Sequence, residues 1–574
     1  MPRFLPRTAL LPLFLAALLA TSLRAQVESV TRLTAHPSRF GRLDFVVMLK
    51  AEWQDPYHAD DIRLDLELTA PSGRSLVVPC FYERGESGAS SEWLARYAPG
   101  EAGRYRGQVV LTVHGMRQAP FPVAFAVGGS GARGFLHAAG PWMFRFDNGE
   151  PFRGIGENLC WEARSSDDSK FFKALNEDPR FNYEYLLGRL SASGGNFFRT
   201  WMCPWNLPLE WHHVVDTSRY TDDQARFNAS AIRRMDELVD LAGSTDTYFM
   251  LTIDPHGAFL GRGWELNSYN TANGGPVATP TEFFTDPVAK ARYKDKLRYL
   301  VARWGFSPHL AVWEFFNEID NAMYGQKPVR IPDQVITGWH AEMSAYLKAV
   351  DPYGRLVTTS VSHRDVAGMN RIPTMDFNQK HIYRNTLSIP GTIRQYVLSE
   401  GKPYVIGEFA REWDWSQDFN AIGADMDHDY KLGPWLGLFS PTPILPMSWW
   451  WEFFDERHLT ASLMRVRAVS DRMIASGHGD FQGISCTWSG PAVPVYGVQC
   501  GKTLFVLLVN EGAAPAAGDV ALPPALTGHY ASQEFDTETG QFTHPAAIDR
   551  EHKDAVPATV QPGRCTVLVI APSP

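Results

Sequence analysis

Between about residues 135 and 475 the chain repeats one pattern: a short apolar run, then a longer amphipathic stretch. NFFRTW leads to ASAIRRMDELVDLAGS, TYFMLTIDPHG to PVAKARYKDKLRYLVARWG, and LAVWEFFNEID to QVITGWHAEMSAYLKAVD. FRGIGENLC opens the series; RLVTTSVSH, MDFNQKHIY, PYVIGEFA and PILPMSWWWEF continue it. Strands that lie parallel need a crossover of a dozen or more residues, usually a helix. The alternation therefore predicts a parallel sheet, and eight strand candidates predict a closed (β/α)8 barrel. The expected fold class is α/β, a central TIM barrel flanked by two all-β sandwich domains.

The flanks differ in period. In residues 26–128, runs such as RLDFVVMLKAEW and DIRLDLELTAPSGRSLVVPCFY alternate every second residue and are cut by turn signals, which predicts an N-terminal β-sandwich. Gly128-Gly129-Ser130-Gly131 is the natural boundary. The barrel is expected over 132–475 and a C-terminal β-sandwich over 476–574, where TLFVLLVN, HYASQEFDTETGQF and CTVLVIAP bring short strands back. Residues 1–25 carry Arg3 and Arg7 ahead of an apolar run from Ala9 to Ala20 and then small residues. That is the layout of a cleaved secretory signal, so a secreted or periplasmic location is expected. No later stretch reaches the ~18 apolar residues of a membrane span. The net charge is −9 with no Lys/Arg run, which argues against a nucleic-acid groove or an anionic membrane surface. No obligate protein partner is inferred. The six cysteines include no CxxC pair, so no zinc or thioredoxin-like motif arises. Cys160–Cys203 and Cys486–Cys500 are conceivable disulfides in an exported chain.

Active sites of such barrels sit at the C-terminal ends of the strands. Here those ends carry Glu157 and Asn158, Arg199 and Trp201, Asp254 and His256, Asn317 and Glu318, Ser360 and His363, His381 and Tyr383, Glu408, and Trp449 to Trp451. Polar residues often end strands, but eight such ends converge on one rim. Cleavage of a glycosidic bond needs two carboxyl groups flanking it, ~5–5.5 Å apart in the retaining mechanism. Glu318 is the candidate acid/base, with a pKa expected to be raised by its surroundings and the second carboxylate. Glu408 is the candidate nucleophile, kept ionised by Arg199 and Tyr383. Asn317 can donate to a sugar 2-hydroxyl. Glu157, Asn158, Trp161, Trp201 and Trp264 are further candidates for shaping subsites. Glu412, Asp414, Glu452 and Asp455 are expected at the rim or at helix starts.

These residues, in this order, resemble a glycoside hydrolase of clan A, closest in pattern to family 5, the cellulase and mannanase family. The matching residues are Arg199, His256, the Asn317-Glu318 pair, the His-x-Tyr of His381 and Tyr383, Glu408 within GEF, and the tryptophans at 449–451, of which Trp449 and Trp450 are the candidates to contact substrate. The resemblance implies a β-linked polysaccharide or oligosaccharide substrate, mannan or glucan favoured, with retention of configuration and neither metal nor cofactor. The N-terminal segment is similar to a β-sandwich domain often placed ahead of such barrels in bacterial secreted proteins, and FDTETGQF to a motif of their C-terminal domains. One departure is that Ile319 stands where the family often has proline after the glutamate.

Two other readings compete. A catalytically inactive carbohydrate-binding protein would have no need for both glutamates. A metal-dependent hydrolase would need clustered ligands, yet His256, His363 and His381 lie on separate strands with no HxH or HExxH pair.

Overall fold

A computed structural model describes residues 25–324, 329–523, 526, 529–548 and 555–573. The expected leader, up to residue 24, lies outside the described residues.

Two antiparallel sheets make up the N-terminal unit. One orders Gln26–Arg32, Leu43–Lys50, Ser90–Tyr97 and Phe81–Arg84. The other places Ile62–Thr69 between Ser75–Pro79 and Gly103–Val113, which also pairs with Phe121–Val127. Alternate residues Leu43, Phe45, Val47 and Leu49 of one sheet meet Leu64, Leu66, Val109 and Leu111 of the other in a single core. The period of two in the sequence is this inward-facing row. Each such side chain, fully buried, stabilises the unit by ~1.5–3 kcal/mol.

The central unit is a ring of parallel strands with helices between them. Gly156–Asn158, Phe197–Trp201, Tyr248–Pro255, Leu310–Asn317 and Leu356–Thr358 pair in that order, all parallel. Ser360–Val361, Asn378–Tyr383 and Tyr404–Ala410 follow, again parallel. The eighth expected strand is not a regular one. Pro441, Pro443 and Pro446 interrupt it, and proline has no N–H to give a ladder. Instead Ile444 and Ser448 make isolated parallel bridges, to Gly154, Glu157 and Phe409, so the pairing returns to the strand where it began. At Gly156 an added Cβ would lie 1.6 Å from the Phe197 carbonyl oxygen, so only glycine permits this first pairing. Phe197, Met250, Val312, Leu356, Val405, Ile444 and Met447 gather in one cluster within the ring.

The linking helices include Tyr183–Ala192, Ala229–Ser244, Pro287–Trp304, Asp333–Val350, Ile389–Glu400 and Gly423–Leu438. Asn228 and Asp286 cap two of them through side-chain bonds to Ser230 and Ala231 and to Val288 and Ala289. Helix Pro287–Trp304 carries most of the contact with the N-terminal unit. Asp295 meets His58 at 2.8 Å, Arg298 meets Asp65 at 2.6 Å, and Arg303 meets Glu83 at 2.7 Å. Arg96 of the N-terminal unit in turn donates to the Arg303 carbonyl at 3.2 Å.

The C-terminal unit has a six-stranded and a three-stranded antiparallel sheet that share a core of Leu504, Val506, Leu508, Val520, Val556, Val560 and Leu568. The opposite face of strand Thr503–Asn510, with Phe505, Leu507 and Val509, joins the large cluster that also holds Val466, Val469 and Met473 of helix Leu463–Gly477.

All six cysteines are free thiols. Buried Cys160 turns its Sγ toward Asn158 Oδ1 and the Arg199 carbonyl rather than toward Cys203. Cys486 lies against Gly497 while Cys500 pairs with Phe481, so the two thiols are separated by three residues of strand, ~10 Å. No helix among the described residues is long and apolar enough to cross a membrane.

Candidate active site

The run LAVWEFFN forms ring strand Leu310–Asn317, buried throughout, and the chain turns sharply at its end. Glu318 has φ +49°, in the left-handed region, and opens the short turn Ile319–Asn321. A non-glycine residue held there carries strain of order 1–3 kcal/mol and persists only where its surroundings fix it. Ser360 supplies that fixing: its Oγ accepts the Glu318 N–H at 2.9 Å and donates to the Phe316 carbonyl at 3.1 Å. Asn321 donates to Glu318 Oε2 at 3.1 Å. The Asp320 carboxylate accepts the N–H groups of Ser362, His363 and Arg364, tying this turn to the loop after the fifth strand.

Glu408 stands on ring strand Tyr404–Ala410. Its Oε1 is 2.7 Å from Arg199 Nη1, and its Oε2 accepts the Tyr383 hydroxyl at 2.6 Å. His381 spans the two carboxylates, with Nδ1 2.8 Å from Glu318 Oε1 and 3.3 Å from Glu408 Oε2. One oxygen of each glutamate and a ring nitrogen of His381 all lie within 4.8 Å of one another. Asn317 Oδ1 accepts from Arg199 Nη2 at 2.8 Å, and its Nδ2 lies 3.2 Å from His256 Nδ1. The fold thus brings Arg199, His256, Asn317, Glu318, His381, Tyr383 and Glu408 into one hydrogen-bonded group.

Charge within this group is set by burial and by donors at contact distance. Burial pushes Glu318 upward, but the His381 hydrogen bond and the charges of His381 and His256 outweigh it and hold the carboxyl down at about 2. The sequence expectation was a raised value; an imidazole bridging the pair reverses it. Burial lifts Glu408 above its ordinary value against His381 and Arg199, and the charge of Glu318 adds to the rise. Burial lowers His381, but the two carboxylates more than offset this and raise it. Gly407 makes room for the bridge: a Cβ there would lie 2.2 Å from Gln379 Oε1 and 3.1 Å from His381 Nε2.

Sequence reasoning passed over Glu314. It lies mid-strand in the same apolar run, fully buried, and takes Arg199 in a two-pronged pair, Nε to Oε2 at 2.6 Å and Nη2 to Oε1 at 2.9 Å. Thr252 Oγ1 donates to Oε2 at 2.6 Å. A carboxylate inside an otherwise apolar strand was the available signal, because a buried charge must be paired.

The remaining candidates lie around or behind this group. Trp449, half-buried, packs against Trp161, Trp201 and Trp451 with ring centres 5.3 to 5.4 Å away. Trp450, expected beside the substrate, turns instead into a separate aromatic cluster. It has φ +70°, stacks on Phe172, and donates Nε1 to the Glu412 carbonyl at 2.7 Å. Asn158 sits behind Arg199, accepting Nη1 at 3.2 Å and donating to the carbonyls of Gly407, Met447 and Ser448. Glu157 faces Tyr430 at 2.8 Å, and Asp254 pairs with Lys296 at 3.1 Å, so neither carboxylate joins the pair. Trp264 donates to the Ala278 carbonyl inside its own loop. Glu412 and Asp414 lie on the rim, whereas Glu452 and Asp455 are buried in helix Trp451–Glu456. The trio Glu318, His381 and Glu408 is close enough to gather a cation, but the Arg199 guanidinium already places a fixed positive charge on Glu408.

Two carboxylates held this close over a ring of parallel strands, one bonded to arginine and tyrosine and the other to histidine and asparagine, suit the making and breaking of a glycosidic bond. The protein is a glycoside hydrolase. Residues 169–427 match the model of the cellulase family, glycosyl hydrolase family 5, and residues 37–111 match a domain of unknown function, DUF5060. Mannan endo-1,4-beta-mannosidase 1 of Oryza sativa subsp. japonica is 22% identical over 349 residues, 53% of this chain and 73% of that protein. Mannan endo-1,4-beta-mannosidase F of Aspergillus fumigatus is 24% identical over 252 residues, 38% of this chain and 53% of that protein. A solved structure from Bacteroides vulgatus, assigned as a glycoside hydrolase, superposes with a TM-score of 0.64 at 14% identity, over 94% of this chain and all of that one.

Proposed function

We propose that the protein is a secreted, retaining β-glycoside hydrolase, working on a (β/α)8 barrel flanked by two β-sandwich domains. The observation that carries the reading is the Glu318–Glu408 pair, with oxygens within 4.8 Å of each other. That separation suits a retaining mechanism and leaves little room for the water an inverting one places between its carboxyls. Glu408 attacks the anomeric carbon, the bond to the leaving oxygen breaks, and a glycosyl ester forms. Glu318 gives that oxygen its proton. In the second step Glu318 takes a proton from water, the water oxygen attacks the anomeric carbon, and Glu408 leaves as carboxylate.

The contact of His381 with Glu318 supports a shared proton source. His381 Nδ1 holds the proton 2.8 Å from Glu318 Oε1 and passes it over as substrate arrives, so the acid step uses one proton shared by the two residues. Arg199 and Tyr383 stabilise the Glu408 carboxylate before attack and as it leaves.

Mannan is the favoured substrate class, because the curated relatives are mannan endo-1,4-beta-mannosidases. A non-catalytic carbohydrate-binding protein fits less well. Burying two carboxylates a few ångströms apart is costly, and recognition of a neutral sugar gains nothing from it. Reducing-sugar release from β-mannan, β-glucan and β-xylan tests the reading, with Glu318→Gln and Glu408→Gln beside the wild type. Release from one polymer, lost in both variants, supports the pair and names the substrate; release that persists in either variant overturns the mechanism.

A further inference from the structure

Trp413 and Trp415 lie on the loop that follows the strand of Glu408, and both are open to solvent, at 50% and 45% exposure. They are the tryptophans among the strongly exposed large apolar side chains of the described residues. An exposed indole on a loose loop would be a liability, but this loop is braced. The Glu412 carboxylate receives Arg384 Nε at 3.0 Å and the backbone N–H groups of Trp413 and Asp414 at 2.9 and 3.0 Å. Asp414 then accepts the N–H and hydroxyl of Ser416 at 3.0 and 2.6 Å. The Arg384 guanidinium lies 5.4 Å from the centre of the Trp413 ring.

The brace connects directly to the active group. Arg384 adjoins Tyr383, whose hydroxyl bonds Glu408, and the Glu412 carbonyl is held by the Trp450 indole. Trp413 follows Glu408 by five residues, a reach of at most ~18 Å of chain. The loop therefore opens at the same end of the ring as the carboxylates, within a few sugar rings of them.

We propose that Trp413 and Trp415 form a sugar-stacking platform outside the reacting pair, holding further units of the same polysaccharide chain. The inference rests on the glycosidase reading and deepens it: the substrate is a polymer, bound across the rim. An aromatic face meets the apolar C–H face of a pyranose, while Arg384 beside the Trp413 ring offers a partner to its hydroxyls. Because the loop is fixed before binding, little conformational freedom is lost when the sugar docks. A neutral polymer suits this mixed surface, where Arg384 and Glu412 neutralise each other.

Affinity electrophoresis through gels containing galactomannan or glucomannan tests the platform, using the Glu318→Gln protein so that the polymer survives. Retention is expected, and adding Trp413→Ala or Trp415→Ala should weaken it by about 3- to 10-fold per ring. Trp413→Phe and Trp415→Phe, which keep a ring, should restore most of it. In the otherwise wild-type enzyme the Trp413→Ala/Trp415→Ala protein should raise KM for polymer by about 10-fold or more over any change on a short aryl β-mannoside. Equal retention with and without the rings, equal effects on polymer and short substrate, or no retention by either polymer would overturn the proposal. The two ideas fail separately. Activity that survives Glu318→Gln or Glu408→Gln removes the glycosidase mechanism, whereas tryptophan variants that bind polymer like their parent remove the platform alone.

Discussion

Arg199 and Glu314 face each other through two parallel hydrogen bonds, both side chains closed to solvent. The remaining guanidinium nitrogen, Nη1, is thereby aimed at Glu408 Oε1. Glu314 touches no reacting atom in the proposed mechanism. It is a positioning residue, and it fixes the charge that steadies the nucleophile.

Glu314→Gln keeps the shape and removes half of that grip. We expect kcat to fall by about 10- to 100-fold with a smaller change in KM, since the loss concerns orientation at the reacting centre. Breaking a buried pair on one side also costs about 3–5 kcal/mol of stability. Steady-state kinetics and thermal unfolding check both. A kcat within about twofold of wild type, with the protein folded, would show that Arg199 needs no such partner.

The roles of the two glutamates separate with an external nucleophile. In Glu408→Ala, azide entering the vacated side attacks a donor with a good leaving group and gives the glycosyl azide of inverted configuration. In Glu318→Ala the glycosyl ester still forms, and azide displaces Glu408 to give the retained β-glycosyl azide. NMR of the products distinguishes the two, and an exchange of these outcomes would reverse the assignment.

His381→Asn tests the shared proton. In the wild type this proton is held with an imidazole whose pKa lies above its ordinary 6.5, so the basic limb of kcat/KM should lie above that value. With asparagine the proton rests on Glu318 alone, a carboxyl with no imidazole to store it, and the limb should move to lower pH. A limb that stays in place argues that His381 only supports the site.

Stability should fall with rising pH for a reason remote from catalysis. Burial pushes Glu157 up to about 8 from an ordinary 4.5, and burial does the same to Glu452. A carboxyl raised in the folded state binds a proton that the unfolded chain has released. Its contribution is full below about 4.5 and is lost as the pH rises through about 8. Glu157→Gln and Glu452→Gln should each flatten that decline in denaturant titrations between these limits. An unchanged slope in both would mean that the two carboxyls ionise in the fold without penalty.

Much of this was legible in the chain. The alternation of runs marked the parallel strands, and the residues closing them supplied every member of the bonded group around Glu318 and Glu408 except those that act from inside a strand. Glu314 escaped because a reading of strand ends does not look mid-strand. The value of Glu318 escaped because it depends on a 2.8 Å contact with a residue 63 positions away. Trp449 and Trp450 are neighbours in sequence and share a composition, but the left-handed backbone at Trp450 sends its ring elsewhere. The eighth strand was expected from its apolar residues, and its prolines reduce it to three isolated bridges.

Helix Pro287–Trp304 looks amphipathic in sequence, with Asp295, Arg298 and Arg303 placed as if for water. In the fold those side chains meet His58, Asp65 and Glu83 of the N-terminal unit, and Asp295 and Arg303 also pair with Arg226 and Asp236 of the central unit. Detaching the first hundred residues would leave Arg298 without its carboxylate, on the helix that leads into the fourth ring strand, the one that ends just before Glu318. The N-terminal unit is thus less an accessory on a leash than a wall of the same building: calorimetry should show the two melting in one transition.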